Sequence, residues 1–239
     1  MKNSEARFPP LLFFVFGSLY SVLSLHPVLH AVVSGACGYF DYRRTINEAN
    51  VTRISNLFRN GVGCGACYQV KCKIPALCTI NGVVVVVIDY GQGDRIDFVL
   101  SNHSYTRLAC PGAAPKLISY GTIDMAYKSV PCKYPGRNLM VKIHEYAKFP
   151  DYLAITFLYV GGENDITQIQ VWKPESYQWM DMRRSYGAVL RDLPNPPTGA
   201  LTIMFFVSGS AGNTWMKLNR VIPCRWRAKA VYDTGIQLF

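Results

Sequence analysis

The chain has 239 residues, half of them apolar and 17% charged, with a formal net charge of +10. That composition excludes wholesale disorder and allows one large domain or two of about 100 residues each. The positive residues form no run or stripe, which argues against a nucleic-acid binder and leaves acidic polysaccharide as a natural partner for a basic exported chain.

At the N-terminus, Lys2 and Arg7 precede an apolar run from Leu11 to Leu25. A basic head followed by an apolar stretch is the pattern of a secretory leader, and the run is shorter than the roughly 20 residues that span a bilayer. The expectation is a signal peptide over residues 1–30 and a secreted, extracellular protein with no membrane attachment after its removal. Eight cysteines, five of them between Cys37 and Cys78, agree with export, because such crowding reads as a disulfide framework whose pairing the spacing leaves open. Zinc at Cys64-Gly-Ala-Cys67 is the rival, but a second such pair is missing and no His lies between Cys37 and Cys78, so no metal is expected. Asn50-Val-Thr52 and Asn102-His-Ser104 are sequons, which makes Asn50 and Asn102 candidate glycosylation sites.

Val83 to Ile88 is a continuous β-branched run suited to a strand buried on both faces, and Tyr120 to Val130 reads as another strand. Between them, Ser101 to Ala109 fits a short helix capped by Ser101 and halted before Pro111. Glycine-rich corners at residues 61–65 and 91–93 break the elements often, a rhythm that fits a compact β-barrel with small helices. Pro131 to Arg137 reads as a linker. Beyond it, strands are expected at residues 139–146, 152–160, 166–173, 201–207 and 215–222, which argues for an antiparallel β-sandwich. Trp172, Trp179 and Trp215 are taken as its core, and His103 and His144 as solvent or edge residues. No Gly-x-Ser-x-Gly elbow is present, so a serine hydrolase is not expected.

Four stretches of the first half are recognisable: Gly35-Ala-Cys-Gly-Tyr39, Gly61 to Cys72, Asp97-Phe-Val-Leu-Ser101 and Tyr127 to Tyr134. Four more follow in the second half: Phe149 to Ile155, Ser185-Tyr-Gly-Ala-Val189, Pro196-Pro-Thr-Gly199 and Val221 to Trp226. Together they resemble the expansin superfamily over residues 35–239, most of all expansin-like B. The resemblance implies a mainly β protein: a six-stranded double-psi β-barrel similar to family-45 endoglucanases over residues 35–135, then an antiparallel β-sandwich carbohydrate-binding module over residues 148–236. It implies the disulfides Cys37 with Cys64, Cys67 with Cys132 and Cys72 with Cys78, leaving Cys110 and Cys224 over. A Thr-Trp-Tyr or Thr-Tyr-Tyr segment is expected before Gly35, where Leu25 to Ser34 stands instead.

The family resembles inverting glycosidases, which need an acid and a base on opposite sides of the scissile bond. Its His-Phe-Asp triplet aligns with Asp97, Phe98 and Val99, so valine replaces the acidic residue. Asp89, matching a groove aspartate of the family, and Asp97 are the barrel-groove candidates, and no catalytic residue is assigned. Three rings that stack on sugars in the second domain carry over as Tyr152, Tyr186 and Trp226, flat apolar faces suited to pyranose rings. The expectation is a monomeric cell-wall protein, not an enzyme and without a cofactor. It would bind cellulose or another β-glucan together with acidic matrix glycans, and loosen the wall without hydrolysis. The alternatives are a weak glycoside hydrolase or lytic transglycosylase using Asp89 and Asp97, and a basic barwin-like defence lectin.

Overall fold

The computed structural model describes residues 20–23, 35–39, 46–91, 96–162, 164–187, 189–209 and 212–238, without the side chains of residues 20–23, 96, 186 and 189–192. Six strands build the first unit: β1 (Tyr20–Leu23), β2 (Val51–Ile54), β3 (Cys67–Cys72), β4 (Val83–Tyr90), β5 (Ile96–Leu100) and β6 (Thr122–Val130). They close into a barrel in the order β1-β5-β2-β4-β3-β6, which leaves no sheet edge. The pairs β1–β5 and β2–β4 are parallel. Parallel neighbours cannot be joined by a tight hairpin, so long connections cross the barrel ends, and one of them supplies most of the groove described below. The valine run lies in β4 as expected, with Val83, Val85, Val86 and Val87 buried and Val84 half out of the core. The expected helix is α1 (Asn102–Thr106), its first turn held by the Ser104 N–H donating to the Ser101 hydroxyl at 3.1 Å. A second short helix, α2 (Ala114–Ser119), follows before β6.

All three disulfides implied by the resemblance form, while Cys110 and Cys224 are free. The thiolates that a zinc site at Cys64 and Cys67 would require are therefore spent in disulfides.

The expected leader and the first barrel strand overlap. Tyr20–Leu23 falls inside the expected leader, yet it pairs with β5 on one side and β6 on the other. A cleavage removing residues 1–30 would take β1 with it and open the barrel. A barrel strand and a leader can share one apolar pattern. The Leu25 to Ser34 stretch lies outside the described residues.

The second unit contains β7 (Met140–Ile143), β8 (Tyr152–Leu158), β9 (Asn164–Lys173), β10 (Gln178–Tyr186), β11 (Val189–Pro194), β12 (Leu201–Gly209), β13 (Gly212–Ile222) and β14 (Val231–Asp233). They form one antiparallel sheet in the order β13-β12-β9-β10-β11-β8-β7-β14. β10 pairs with β9 through residues 178–182 and with β11 through residues 183–186, so the sheet turns there and folds back on itself. The two layers of the expected sandwich are continuous through this strand. Leu153, Ile155 and Phe157 from one layer meet Ile169, Val171, Ile203 and Phe205 from the other, all buried. This unit begins with β7, ahead of the expected start at 148.

Two further expectations change. Asn50 is 4% exposed, its side-chain amide donates to the Asn47 carbonyl at 3.0 Å, and Thr52 is buried beside it, so in the folded barrel this amide is engaged and nearly closed to solvent. Asn102 is exposed at the start of α1 and keeps its place as a candidate. His144 is buried rather than at an edge: its Nδ1 accepts from the Tyr146 N–H at 3.2 Å, whereas His103 is exposed as expected.

Candidate functional site

Three adjacent barrel strands, β4, β2 and β5, bring the two candidate carboxylates to one face. Arg53 on β2 stands opposite Asp89 on one side and Val99 on the other. Asp89 ends the valine strand, and its Oδ1 accepts the N–H groups of Ala36 and Tyr90 at 2.5 and 2.8 Å. Its Oδ2 meets Arg53 Nε at 3.0 Å. Both oxygens are thus engaged, and the carboxylate fixes the turn at Gly35–Gly38 onto the barrel. Asp97 is 5% exposed and accepts from Asn56 Nδ2 at 3.3 Å. Burial pushes its pKa above the ordinary carboxylate range, and the Asn56 hydrogen bond opposes that shift. At Val99, where the related triplet carries its acid, no carboxylate faces Arg53.

A raised carboxyl pKa favours the folded protein at low pH. Relative to an unperturbed aspartate, the stability from Asp97 is fully present below its unfolded pKa of 3.8 and is lost as pH rises through the folded value. Asp97→Asn keeps an acceptor for Asn56 and removes the buried charge. We expect the melting temperature of this variant to exceed that of the parent at neutral pH, with the gap closing below pH 3.8 in parallel thermal melts.

Above these residues lies an open cleft of about 450 Å³, lined by Ala36, Ser55, Asn56, Phe58, Arg59 and Tyr90, among others. Phe58 and Tyr90 face one another with ring centroids 5.3 Å apart, and Tyr90 is 45% exposed. Sequence reasoning missed this aromatic pair. The signal was present in the strand parity: Tyr90 follows Asp89 at the end of an apolar run, where a ring reaches solvent.

One lining residue of the cleft, Arg59, reaches across the seam to the second unit. Arg59 makes a two-pronged ion pair with Asp165 at the start of β9, at 2.9 and 3.2 Å. Gly61 touches Gly187, which follows β10, so closely that a Cβ on Gly61 would lie 2.6 Å from the Gly187 Cα. A Cβ on Gly187, whose φ is +49°, would run into the Ala36 carbonyl oxygen. Arg184 donates to the carbonyls of Ile166 at 2.6 Å and Gly187 at 3.2 Å. Burial pushes its pKa down, while Tyr39 and Asp165 hold it up. Burial raises the Tyr39 pKa, keeping that phenol neutral at the seam. Leu158 and Tyr159 of the second unit pack into the barrel's core cluster. The seam is therefore packed, hydrogen-bonded and ion-paired.

Of the three expected sugar-stacking rings, the structure supports different conclusions for each. Tyr152, the first residue of β8, is half-exposed, opposite Pro194. Tyr186 ends β10 opposite Val189, which in turn stands opposite Thr156, so its backbone occupies a row four residues along β8 from Tyr152. That is about 13 Å at the rise of a strand. Its ring lies outside the described residues. Trp226 is corrected: it is 3% exposed, packed in the sandwich core with the edge of Phe149 against it at 5.2 Å. The ring exposed at that place is Phe149, 51% accessible, so Trp226 serves as its buttress.

The tryptophans expected in the core lie outside it. Trp172 and Trp179 are half-exposed, tilted against one another across β9 and β10 with centroids 5.2 Å apart, and Trp215 is 42% exposed. Ile169 and Val171 point inward, so strand alternation places Trp172 with Gln168 and Gln170 on the outer face. Among the described residues no cluster of His, Cys, Asp and Glu is arranged to hold a metal.

Two family models match the chain: one described as lytic transglycolase over residues 50–127, and the expansin C-terminal domain over residues 139–223. Among curated proteins, the chain is 50% identical to expansin-like B1 of Arabidopsis thaliana, the alignment covering 85% of this chain and 82% of that one. It is 39% identical to expansin-like B1 of Oryza sativa subsp. japonica, over 86% of this chain and 81% of that one. A crystal structure of the expansin of Clavibacter michiganensis superposes with a TM-score of 0.69 at 16% identity, covering 92% of this chain and 97% of that one. A mutant of that protein, solved in complex with cellohexaose, superposes with the same TM-score.

Proposed function

The chain belongs to the expansin superfamily, in the expansin-like B group, and on that premise we propose that it is exported to the cell wall, binds a β-glucan along a face shared by both units, and loosens the wall without cutting the polymer. The observation that carries this reading is the engagement of the carboxylates. Hydrolysis with inversion requires one carboxyl to give a proton and another to activate water. Here both oxygens of Asp89 are held by amides and Arg53, Asp97 is almost closed to solvent, and valine stands at residue 99. What remains accessible is a binding inventory: the Phe58–Tyr90 pair, Asn56 and Arg59 in the cleft, and Tyr152 on the second unit. Aromatic faces with hydrogen-bonding neighbours suit pyranose rings, which are apolar on their faces and polar at their edges. A solved relative of the same fold binds cellohexaose, which supports the choice of ligand. A monomer in the wall, with a glycan at Asn102, completes the proposal.

One observation favours the alternative of weak hydrolytic or lytic cleavage: the raised pKa of Asp97 is the direction that a general acid needs. New reducing ends released from soluble β-glucan, and lost on Asp97→Asn, would establish that reading.

The binding claim is tested by depletion from suspensions of cellulose. We expect Tyr152→Ala/Tyr186→Ala to weaken retention about tenfold, the equivalent of roughly 1.4 kcal/mol for two lost ring contacts. Retention equal to that of the parent would contradict the assigned face.

A further inference from the structure

The sandwich has a second outer face, formed by β13, β12, β9 and β10, that the proposed site does not use. Its side chains follow from the register. Trp215 stands opposite Phe206, and Phe206 opposite Gln168. One step along, Lys217 stands opposite Met204, Met204 opposite Gln170, and Gln170 opposite Asp181. At the far end Trp172 stands opposite Trp179. The rings thus form two groups, Phe206 with Trp215 and Trp172 with Trp179, each with centroids 5.2 Å apart. Gln168 and Trp172 are four residues apart on β9, which places the groups about 13 Å from one another along the strands. Between them lie the amide of Gln170 and the ammonium of Lys217, the latter 5.9 Å above the Trp179 ring.

An isolated surface ring needs no explanation, but a row of four large rings with polar groups between them does. A second protein copy would favour a dry apolar patch, whereas ring, amide and ring in alternation match a chain of pyranoses. Charge narrows the choice further. By strand parity this face carries Arg183, Lys217 and Arg220 against Asp181, whereas Lys173 keeps the parity of the buried Ile169 and Val171 and Arg184 is hydrogen-bonded at the seam. Asp165 is bound by Arg59, and Asp181 accepts from Gln170 at 2.7 Å. The Gln170 amide satisfies Asp181 without neutralising it, and three cations against that one carboxylate leave the face positive.

We propose that this face is a second polysaccharide platform, whose occupant is a β-linked pyranose polymer bearing carboxylates. The rings stack on the sugar faces, while Lys217 and Arg183 meet the uronate groups. The two outer faces of a sandwich point in opposite directions, so one molecule holds an acidic matrix chain on this side and a neutral glucan on the other. The inference rests on the polysaccharide reading above only for its ligand class, because it uses a different set of residues.

The experiment measures retardation of the full chain in native gels containing glucuronoxylan, the same polymer with its carboxyls reduced, or a soluble neutral β-glucan. Trp172→Ala/Trp179→Ala is expected to weaken glucuronoxylan binding about tenfold and to leave β-glucan binding unchanged. Lys217→Glu/Arg183→Glu, which leaves the rings in place, is expected to weaken glucuronoxylan binding by a similar factor, to flatten its salt dependence, and to leave the reduced polymer unaffected. Glucuronoxylan binding unchanged in both variants overturns the proposal, as does a concentration-dependent dimer that the tryptophan variant abolishes. Loss of β-glucan binding only in Tyr152→Ala supports the first site independently. Glucuronoxylan binding lost in the tryptophan variant while β-glucan binding is indifferent to Tyr152→Ala would sink that first site and leave this one standing.

Discussion

Gly187→Val is expected to part the two units while each remains folded. Gly187 sits between the Gly61 backbone and the Ala36 carbonyl, at a φ of +49° that costs a side-chain-bearing residue roughly 1–2 kcal/mol before any contact is considered. Any Cβ meets the Ala36 oxygen, and the obstacle is backbone, which cannot turn aside as a flexible side chain could. Valine adds two methyl groups to that clash and a β-branched preference against positive φ. The cheapest relief is to separate the seam, at the expense of the Arg59–Asp165 pair and the Arg184 hydrogen bonds. A larger radius of gyration in small-angle scattering and new protease sensitivity across residues 133–139 would report it. Binding should also split by ligand length. A glucan long enough to touch the barrel cleft and Tyr152 together gains from both sites in one chain, an advantage that can reach a hundredfold or more. We expect the variant to lose about a hundredfold on long chains and little on short oligosaccharides. Equal loss on both would mean that the seam does not join two subsites.

Cys67→Ala/Cys132→Ala should be the most destabilising disulfide deletion. The bond spans a sequence separation of 65, against 27 for Cys37–Cys64 and 6 for Cys72–Cys78. Loop-closure entropy then assigns it about 4 kcal/mol and the shortest loop about 2 kcal/mol. Against a typical total stability of about 5–15 kcal/mol, the larger value removes a substantial share. The place adds to the length. Cys132 begins the linker, donates its N–H to the Gly161 carbonyl at 2.7 Å, and is followed by Tyr134, whose ring meets Tyr159 edge-on at 5.1 Å. Releasing it frees the connection between the units as well as the start of β3. Denaturant midpoints of the three deletions should fall in the order of their separations. A Cys72→Ala/Cys78→Ala variant that unfolds first would show native-state strain or local packing, not chain entropy, to be in control.

Much of this architecture was legible because the residues concerned answer to a single constraint. Four of the five valines of β4 have one buried destination, Ser101 has one orphan N–H to cap, and Gln168 to Trp172 alternate along a strand with one wet face. Two of the strands that escaped notice, β10 and β1, serve two constraints at once. β10 carries Trp179, Asp181 and Arg183 outward, then bends to feed a different layer, so no period survives along its length. β1 shares its composition with a leader. The aromatic residues mislead for a related reason: a ring fits core and surface alike, and residue type alone does not tell Trp226 from Trp215. Neighbours do tell them apart when parity is read, since Trp172 keeps step with the glutamines. The groove was half legible. Asp89 was placed correctly at a strand end, but its partners Ala36 and Arg53 are distant in sequence and meet it only when the barrel closes.

The central claim, loosening by binding and not by cleavage, is met most directly by following the creep of isolated cell walls under constant load while assaying the bath for reducing ends. The account predicts extension with the parent chain, loss of that extension with Tyr152→Ala/Tyr186→Ala, and no rise in reducing ends in either case. Reducing ends that accumulate with extension, and disappear with it in Asp97→Asn, would contradict it.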